Sequence, residues 1–326
     1  MVSMSVVDMG ANGGVGVPTH LSQRAMLASL SVGYWRAHKM DRLASQAVCI
    51  ANQADEGVAK VYKDLKPESC PEYEAAQKRA RLLDATFRAN TLPWGEGTKG
   101  LRVLPAANYL PLGQKVRTLT DEFYDAADVF SLAFPAIVQR AAIRQGTLYR
   151  PSDYPHPSEV RSHFRVLLSI LPFPKAADFR ADILQGEVAA VQSQINQTIR
   201  ESLAAGNREL FEKFRAHLER MADRLGGVTV KNTGKVNPGE FKDTLVEGLK
   251  EQVDLFPLLN LTQDPLLDEL IEQARRNILA QIESVEDLRK GQSVRADGSF
   301  TPTGLRAEVL NEVESILSKM PVFDAD

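Results

Sequence analysis

A chain of 326 residues that is 44% apolar and 25% charged has the composition of a globular protein with a sizeable core, which excludes a disordered or fibrous one. Its 39 basic and 42 acidic residues leave a net charge of −3, so no global excess draws it to nucleic acid or an anionic membrane, and any such binding must come from a local patch. The only cysteines, Cys49 and Cys70, lack a CxxC partner or a ligand-spaced histidine, which excludes a disulfide framework and points to a reducing, cytoplasmic compartment.

Residues 1–20 are rich in Gly and poor in charge and read as a flexible N-terminal tail. GANGGVG within them lacks the Lys-Ser/Thr pair of a phosphate loop. From Leu21, the three-and-four spacing of Leu27, Leu30, Tyr34, Leu43, Ala47 and Ile50 predicts helix. Val58 to Leu65 reads as a shorter segment ending before Pro67, and Pro71 suits the first turn of a helix through Leu82 to Phe87. Residues 21–90 are therefore expected to be N-terminal helices, with Lys78, Arg79 and Arg81 on a solvated face.

NTLPWGEGTKGLRVLPAANY, residues 90–109, breaks this pattern. It reads as a structured connector over 91–112, fastened by the anchors Trp94, Leu101 and Tyr109 and turned by its glycines. A central helical body is expected over 113–261. Gln114 to Arg144 carries Val116, Phe123, Phe130, Phe134 and Ile137 at helical spacing, and Pro135 predicts a kink or restart near Phe134. Prolines then crowd residues 151–174. Ser158 to His163 reads as one capped turn, Phe164 to Leu171 as a strand and Phe179 to Leu184 as its partner, a small β-hairpin over about 164–184.

Glu187 to Leu225 returns to helix, with a break or bend expected at Gly206 and Asn207. Phe211, Phe214, Leu218, Met221 and Leu225 alternate by three and four, the spacing of coiled-coil packing, and form a candidate self-association face unless helices of the same chain cover them. Val228 to Val236 suggests a second hairpin turned at Asn232 to Gly234. Asn237 and Pro238 open a helix with Phe241, Leu245 and Leu249. Over 262–326 follow an amphipathic segment from Thr262 to Leu288, a helix around Leu305 to Leu317 and a short acidic tail, VFDAD, expected to fray. The fold class is mainly α: an elongated helical bundle with a coiled-coil-like body and two small hairpins.

The chemistry is sparse. His20, His38, His156, His163 and His217 form no HExxH or HxxxH pair, and GxSxG, Walker, kinase and dinucleotide signatures are absent. Asp121 with Glu122, and Asp264 with Asp268 and Glu269, suit helix N-termini and solvated faces better than catalysis. No catalytic, cofactor-binding or metal-ligating residue is assigned, and a non-enzymatic protein without cofactor is expected. No 18-residue apolar run or leader-like N-terminus points to a membrane. The candidate nucleic-acid contacts are Tyr154, Arg161, Phe164, Arg165, Phe179 and Arg180, beside His163: guanidinium groups for phosphates and aromatic faces for bases. A half-buried hairpin shows the same alternation.

TLPWGEGTKGLRVLPAANY, RPSDYPHPSEVRSHFRV, PFPKAADFRADI and NPGEFKDTLVEGLKEQVDLFPLLNL together resemble a family of uncharacterised proteins encoded by bacteriophages, plasmids and prophage-bearing bacteria, over roughly residues 89–264. The resemblance implies a mobile-element role in the bacterial host cytoplasm and transfers no functional residue. Two functions are carried forward: a helical protein that self-assembles or engages a phage or host protein, and a single-stranded nucleic-acid-binding protein of phage replication or recombination.

Overall fold

The computed structural model describes residues 21–95, 100–174, 185–226, 229–230, 236–237, 241–294 and 300–323. The fold is mainly α with small β elements. A helical turn, Leu21–Arg24 (α1), leads into a strand, Ala25–Gly33 (β1). His38–Asp41 (β2) precedes the helix Arg42–Ala51 (α2), and Val61–Asp64 (β3) pairs antiparallel with β2, Met40 opposite Tyr62. The structure thus corrects the helical reading of residues 25–41 and 58–65. In β1 the successive residues Leu27 and Ala28, which point to opposite faces, are both buried. A strand covered on both faces loses its alternation and reads as an apolar run of ambiguous period.

Pro71–Ala89 (α3) is the predicted helix. The connector contains two short strands, Leu92–Pro93 (β4) and Leu101–Pro105 (β5), paired antiparallel with Leu92 opposite Val103. Tyr109–Gln145 (α4) runs through Pro135 without the expected restart. Pro157–Val160 (α5) is the proline-started turn, capped by His156 Nδ1, which accepts from the Ser158 N–H at 3.3 Å. Arg165–Pro172 (β6) is the predicted strand, and the sheet order is β4-β5-β1-β6. Its neighbour among the described residues is therefore β1; the expected partner, 179–184, lies outside them.

Gln185–Gly226 (α6) continues through Gly206 and Asn207. A Cβ at Gly206 would stand 3.2 Å from Leu92 Cδ1, so this glycine admits the β4 side chain against the helix and does not break it. Thr229–Val230 (β7) and Val236–Asn237 (β8) form the second hairpin, whose turn lies outside the described residues. Asp243–Leu259 (α7) follows. The single segment expected over 262–288 is two helices, Pro265–Asn277 (α8) and Val285–Lys290 (α9). Asp264 caps α8, accepting from the N–H groups of Leu266 and Leu267 at 2.9 and 3.2 Å. Gln292–Val294 (β9) pairs with Phe300–Pro302 (β10), a hairpin not foreseen, before Leu305–Lys319 (α10).

The chain forms two compact units and passes between them at residues 27–28, 89–90, 109–110 and 170–171. This interleaved division replaces the serial one expected from the sequence. One unit comprises residues 1–27, 90–109 and 171–326. Its core runs along α6, whose Phe211, Phe214, Leu218, Met221 and Leu225 are at most 2% exposed against residues of α7, α8 and α10. The heptad is an internal packing face, and burying each such side chain contributes on the order of 1.5–3 kcal/mol. The expected self-association role of these residues is corrected accordingly. Phe323 joins this core with its ring 6.0 Å from that of Phe211, and Arg215 donates to the carbonyls of Met320 and Pro321 at 3.0 and 3.3 Å, so the tail is anchored as far as residue 323. Of the connector anchors, Trp94 is buried with its ring 5.3 Å from Phe173 and Leu101 packs half-buried on the core, whereas Tyr109 is 43% exposed and starts α4.

His217 on α6 is buried, its Nε2 2.8 Å from the Leu245 carbonyl, beside Gly248, where a Cβ would clash with the ring at 2.7 Å. Burial, chiefly, and the nearby Arg220 charge lower its pKa against the opposing pull of the Leu245 carbonyl. The native state therefore favours neutral imidazole, and the stability this contributes is full above the unfolded histidine value of about 6.5 and lost as pH falls through the folded value. Urea midpoints measured from pH 7.5 to 5 should fall, and His217→Gln should flatten that fall; an identical slope in the variant would exclude His217 as its source.

The other unit comprises residues 28–89 and 110–170. Trp35 sits at the centre of an aromatic cluster joining α3 and α4, with ring centroids 6.1 Å from Tyr73, 5.8 Å from Phe130, 5.4 Å from Phe134 and 6.4 Å from Tyr154. Asp41 caps α2 by accepting from the Ala44 N–H at 3.1 Å. The Ser45 hydroxyl donates to the Asp41 carbonyl and accepts from the Val61 N–H, tying α2 to β3. Cys49 and Cys70 are buried free thiols.

Candidate anion-binding cleft

Within this second unit, Tyr34, Trp35, Arg36, Ala37 and His38 alternate in burial as an extended chain does: Trp35 and Ala37 point into the core, Arg36 and His38 are exposed, and Tyr34 is half-buried. The outward set lines a cleft of about 730 Å³, within the range of small-ligand sites. The end of β1 contributes Val32 and Gly33, and α3 contributes Tyr73 and Gln77, one turn apart on the same face. Ser162, His163 and Arg165 complete the lining.

Tyr73 forms the fixed wall. It is 6% exposed, donates its hydroxyl proton to the Trp35 carbonyl at 3.1 Å and meets Tyr34 edge-on at 6.4 Å. Burial raises its pKa, so it remains a neutral donor through the physiological range. Gly33 makes room for Arg165: a Cβ at Gly33 would lie 3.0 Å from Arg165 Cγ and 3.1 Å from its Nε. Arg36 and Arg165 are exposed and make no ion pair among the described residues, and no carboxylate lines the cleft. Two uncompensated guanidinium groups beside two imidazoles, a hydroxyl and an amide form a site for an anion with several acceptor oxygens, which guanidinium forks suit.

Of the residues singled out in the sequence, Arg165 and His163 reach this cleft. Arg161 is engaged elsewhere, ion-paired to Asp128 with its guanidinium 4.6 Å from the Tyr124 ring centre. Phe164 is 2% exposed between Phe123 and Phe130, and Tyr154 belongs to the Trp35 cluster, its hydroxyl accepting from Gln145 Nε2 at 2.8 Å. The Phe164 ring is therefore closed to a base, and neither residue lines the cleft. Phe179 and Arg180 lie outside the described residues. Tyr34, Arg36 and His38 were missed, because a helical reading of residues 21–50 scatters them around a cylinder, and Gln77 was missed because a lone amide on a predicted helix carries no signal of its own.

Among the described residues no group of three His, Cys, Asp or Glu side chains can hold a metal ion. No protein-family model, curated protein or solved structure matches the chain.

Proposed function

We propose that the chain is a non-enzymatic protein of a bacteriophage or related mobile element that binds single-stranded nucleic acid through the cleft of its second unit. The observation that carries this reading is the pair Arg36 and Arg165, free of carboxylates, beside the half-buried ring of Tyr34. Guanidinium groups hold phosphates, and an aromatic ring stacks on any base without regard to sequence. The mobile-element setting and the bacterial host cytoplasm rest on the resemblance of the segments between residues 89 and 264.

Fluorescence anisotropy with a labelled single-stranded oligonucleotide tests it. Binding is expected at low salt and should weaken steeply toward physiological salt. In the double variant Arg36→Ala/Arg165→Ala, the loss of two phosphate contacts should flatten the log–log salt slope by about 1.4, at roughly 0.7 per contact for single strands. Arg161→Ala, whose guanidinium is held by Asp128, should leave the slope unchanged. Equal affinity and slope in wild type and double variant would overturn the assignment of this cleft.

A further inference from the structure

The heptad of α6 is consumed inside its unit, but α4 carries a second one that is not. Phe130, Phe134, Ile137 and Ala141 of α4 are buried, each 1% exposed or less. The opposite face bears Val129, Leu132, Ala136, Gln139 and Ile143, spaced three-four-three-four, the seam of a two-helix contact. Leu132 and Ile143 are each 84% exposed and Val129 is 56% exposed. A monomer rarely leaves large aliphatic side chains in register on one helix, and contiguous apolar patches of more than a few hundred Å² mark interaction surfaces.

We infer that this stripe is a self-association surface, on which α4 of a second copy of the chain docks antiparallel about a two-fold axis at Ala136. The ends of the stripe are symmetric about that residue, while Leu132 and Gln139, four and three residues from it, are not. Val129 and Ile143 stand seven residues to either side, so each meets the other across the axis, and the smallest side chain of the stripe lies where the two helices cross. An interface of this kind is isologous, the same patch serving both copies.

Charge sets the direction. Asp125 and Asp128 flank one end of the stripe, and Arg140 and Arg144 flank the other. Asp125 makes no ion pair among the described residues and Asp128 pairs with Arg161, while Arg140 reaches Glu72 only at 3.9 Å and Arg144 holds Asp64 at 3.5 Å and the Lys66 carbonyl at 3.2 Å. Antiparallel docking brings the acidic end of one helix beside the basic end of the other, whereas parallel docking stacks like on like. A stripe from one helix per copy falls at or below the lower edge of a stable interface, about 1,200 Å² in all, so the dimer should be weak, in the micromolar range or above.

The full chain is examined by sedimentation velocity over a concentration series, with three variants checked for native helicity by circular dichroism. A reversible dimer is expected for wild type, and Leu132→Lys should raise its dissociation constant at least tenfold. Under mild oxidation Ala136→Cys should give a covalent dimer, because the two thiols meet at the axis and Cys49 and Cys70 are buried. Lys115→Cys lies about 31 Å along the same helix at 1.5 Å per residue, and should not cross-link. A monomer at every concentration, or equal cross-linking at 115 and 136, overturns the proposal. The region Ala106–Leu148 is also long and apolar enough to cross a membrane by length and composition alone. Co-sedimentation with phosphatidylcholine–phosphatidylglycerol vesicles that Leu132→Lys abolishes, without dimerisation, would reassign the stripe to lipid and equally overturn the dimer.

Discussion

Replacing Lys63 by methionine is expected to destabilise the second unit by about 3–5 kcal/mol, the range for removing one partner of a buried ion pair. The Lys63 Nζ donates to Asp41 Oδ2 at 3.2 Å and to the Leu148 carbonyl at 2.9 Å, and ion-pairs with Asp153 Oδ2 at 2.5 Å. The three side chains are 5, 4 and 8% exposed, so water cannot take over when the lysine goes. These contacts join the β2–β3 hairpin to the turn after α4. Methionine fills the stem but leaves Asp41 and Asp153 buried together, with Lys39, 3.0 Å from Asp153, and the Arg150 charge near Asp41 to offset them. The triple variant Lys63→Met/Asp41→Asn/Asp153→Asn should recover part of the loss, because it removes the stranded charges.

The same network dictates a pH profile. The Ala44 N–H, chiefly, with Lys63, holds the Asp41 carboxyl below its ordinary value; burial opposes Asp153, but Lys63 and Lys39 outweigh it and lower that pKa too. Burial also opposes the charge on Lys63, and the two carboxylates outweigh it and raise its pKa. Carboxylates with depressed folded pKa values contribute stability that is full above about pH 4 and lost as pH falls through the folded values. The raised lysine contributes stability that is full below about pH 10.4 and lost as pH rises through its folded value. The chain has two tryptophans, Trp35 in this unit and Trp94 in the other. In a Trp94→Phe background, urea unfolding followed by Trp35 fluorescence should show the loss and a flattened acid arm in Lys63→Met. A change below 1 kcal/mol would mean that water reaches the site and that the network is not closed.

How much of this was legible in the sequence depends on what each element packs against. α3, α4, α6 and α10 each have a solvated side, so their apolar residues recur at helical spacing and periodicity finds them. β1 is buried on both faces where it begins, at Leu27 and Ala28, and its Ala, Met and Leu content favours helix until pairing with neighbouring strands overrides it. The error spread to the site. YWRAHK at residues 34–39 carries a period-two signal, with Trp35 and Ala37 buried while Arg36 and His38 are exposed, and it is too short to compete with the three-and-four pattern laid across it. The α6 heptad was read correctly as a packing seam, but spacing alone does not say what covers it. The exposed stripe on α4 is hidden for the converse reason: Phe130, Phe134 and Ile137 dominate the apolar pattern, and Val129, Leu132 and Ile143 look like its margin.

Arg306→Met should cost the first unit about 3 kcal/mol, since buried carbonyls stripped of a donor each cost about 1–3 kcal/mol and three lose theirs here. Arg306 on α10 is 1% exposed and has no carboxylate partner among the described residues. Its guanidinium instead donates to the carbonyls of Arg224 at 2.5 Å and Leu225 at 2.8 Å, in the last turn of α6, and to that of Leu288 in α9 at 3.1 Å. Helix C-termini leave their final carbonyls without intrahelical donors and carry partial negative charge, so one planar cation satisfies both ends. Desolvation lowers its pKa, as it must for a charge held by dipoles alone. Packing around it is tight: a Cβ at Gly291 would stand 2.7 Å from the Thr303 carbonyl oxygen and 2.8 Å from Arg306 Cβ. Arg306→Lys should recover less than half of the loss, because an ammonium on a flexible stem does not reproduce the fork that reaches three carbonyls from different directions. Followed by Trp94 fluorescence in a Trp35→Phe background, the order of stability should be arginine, then lysine, then methionine. Lysine matching arginine would show that charge alone is needed, and methionine matching arginine would show that the carbonyls find other donors.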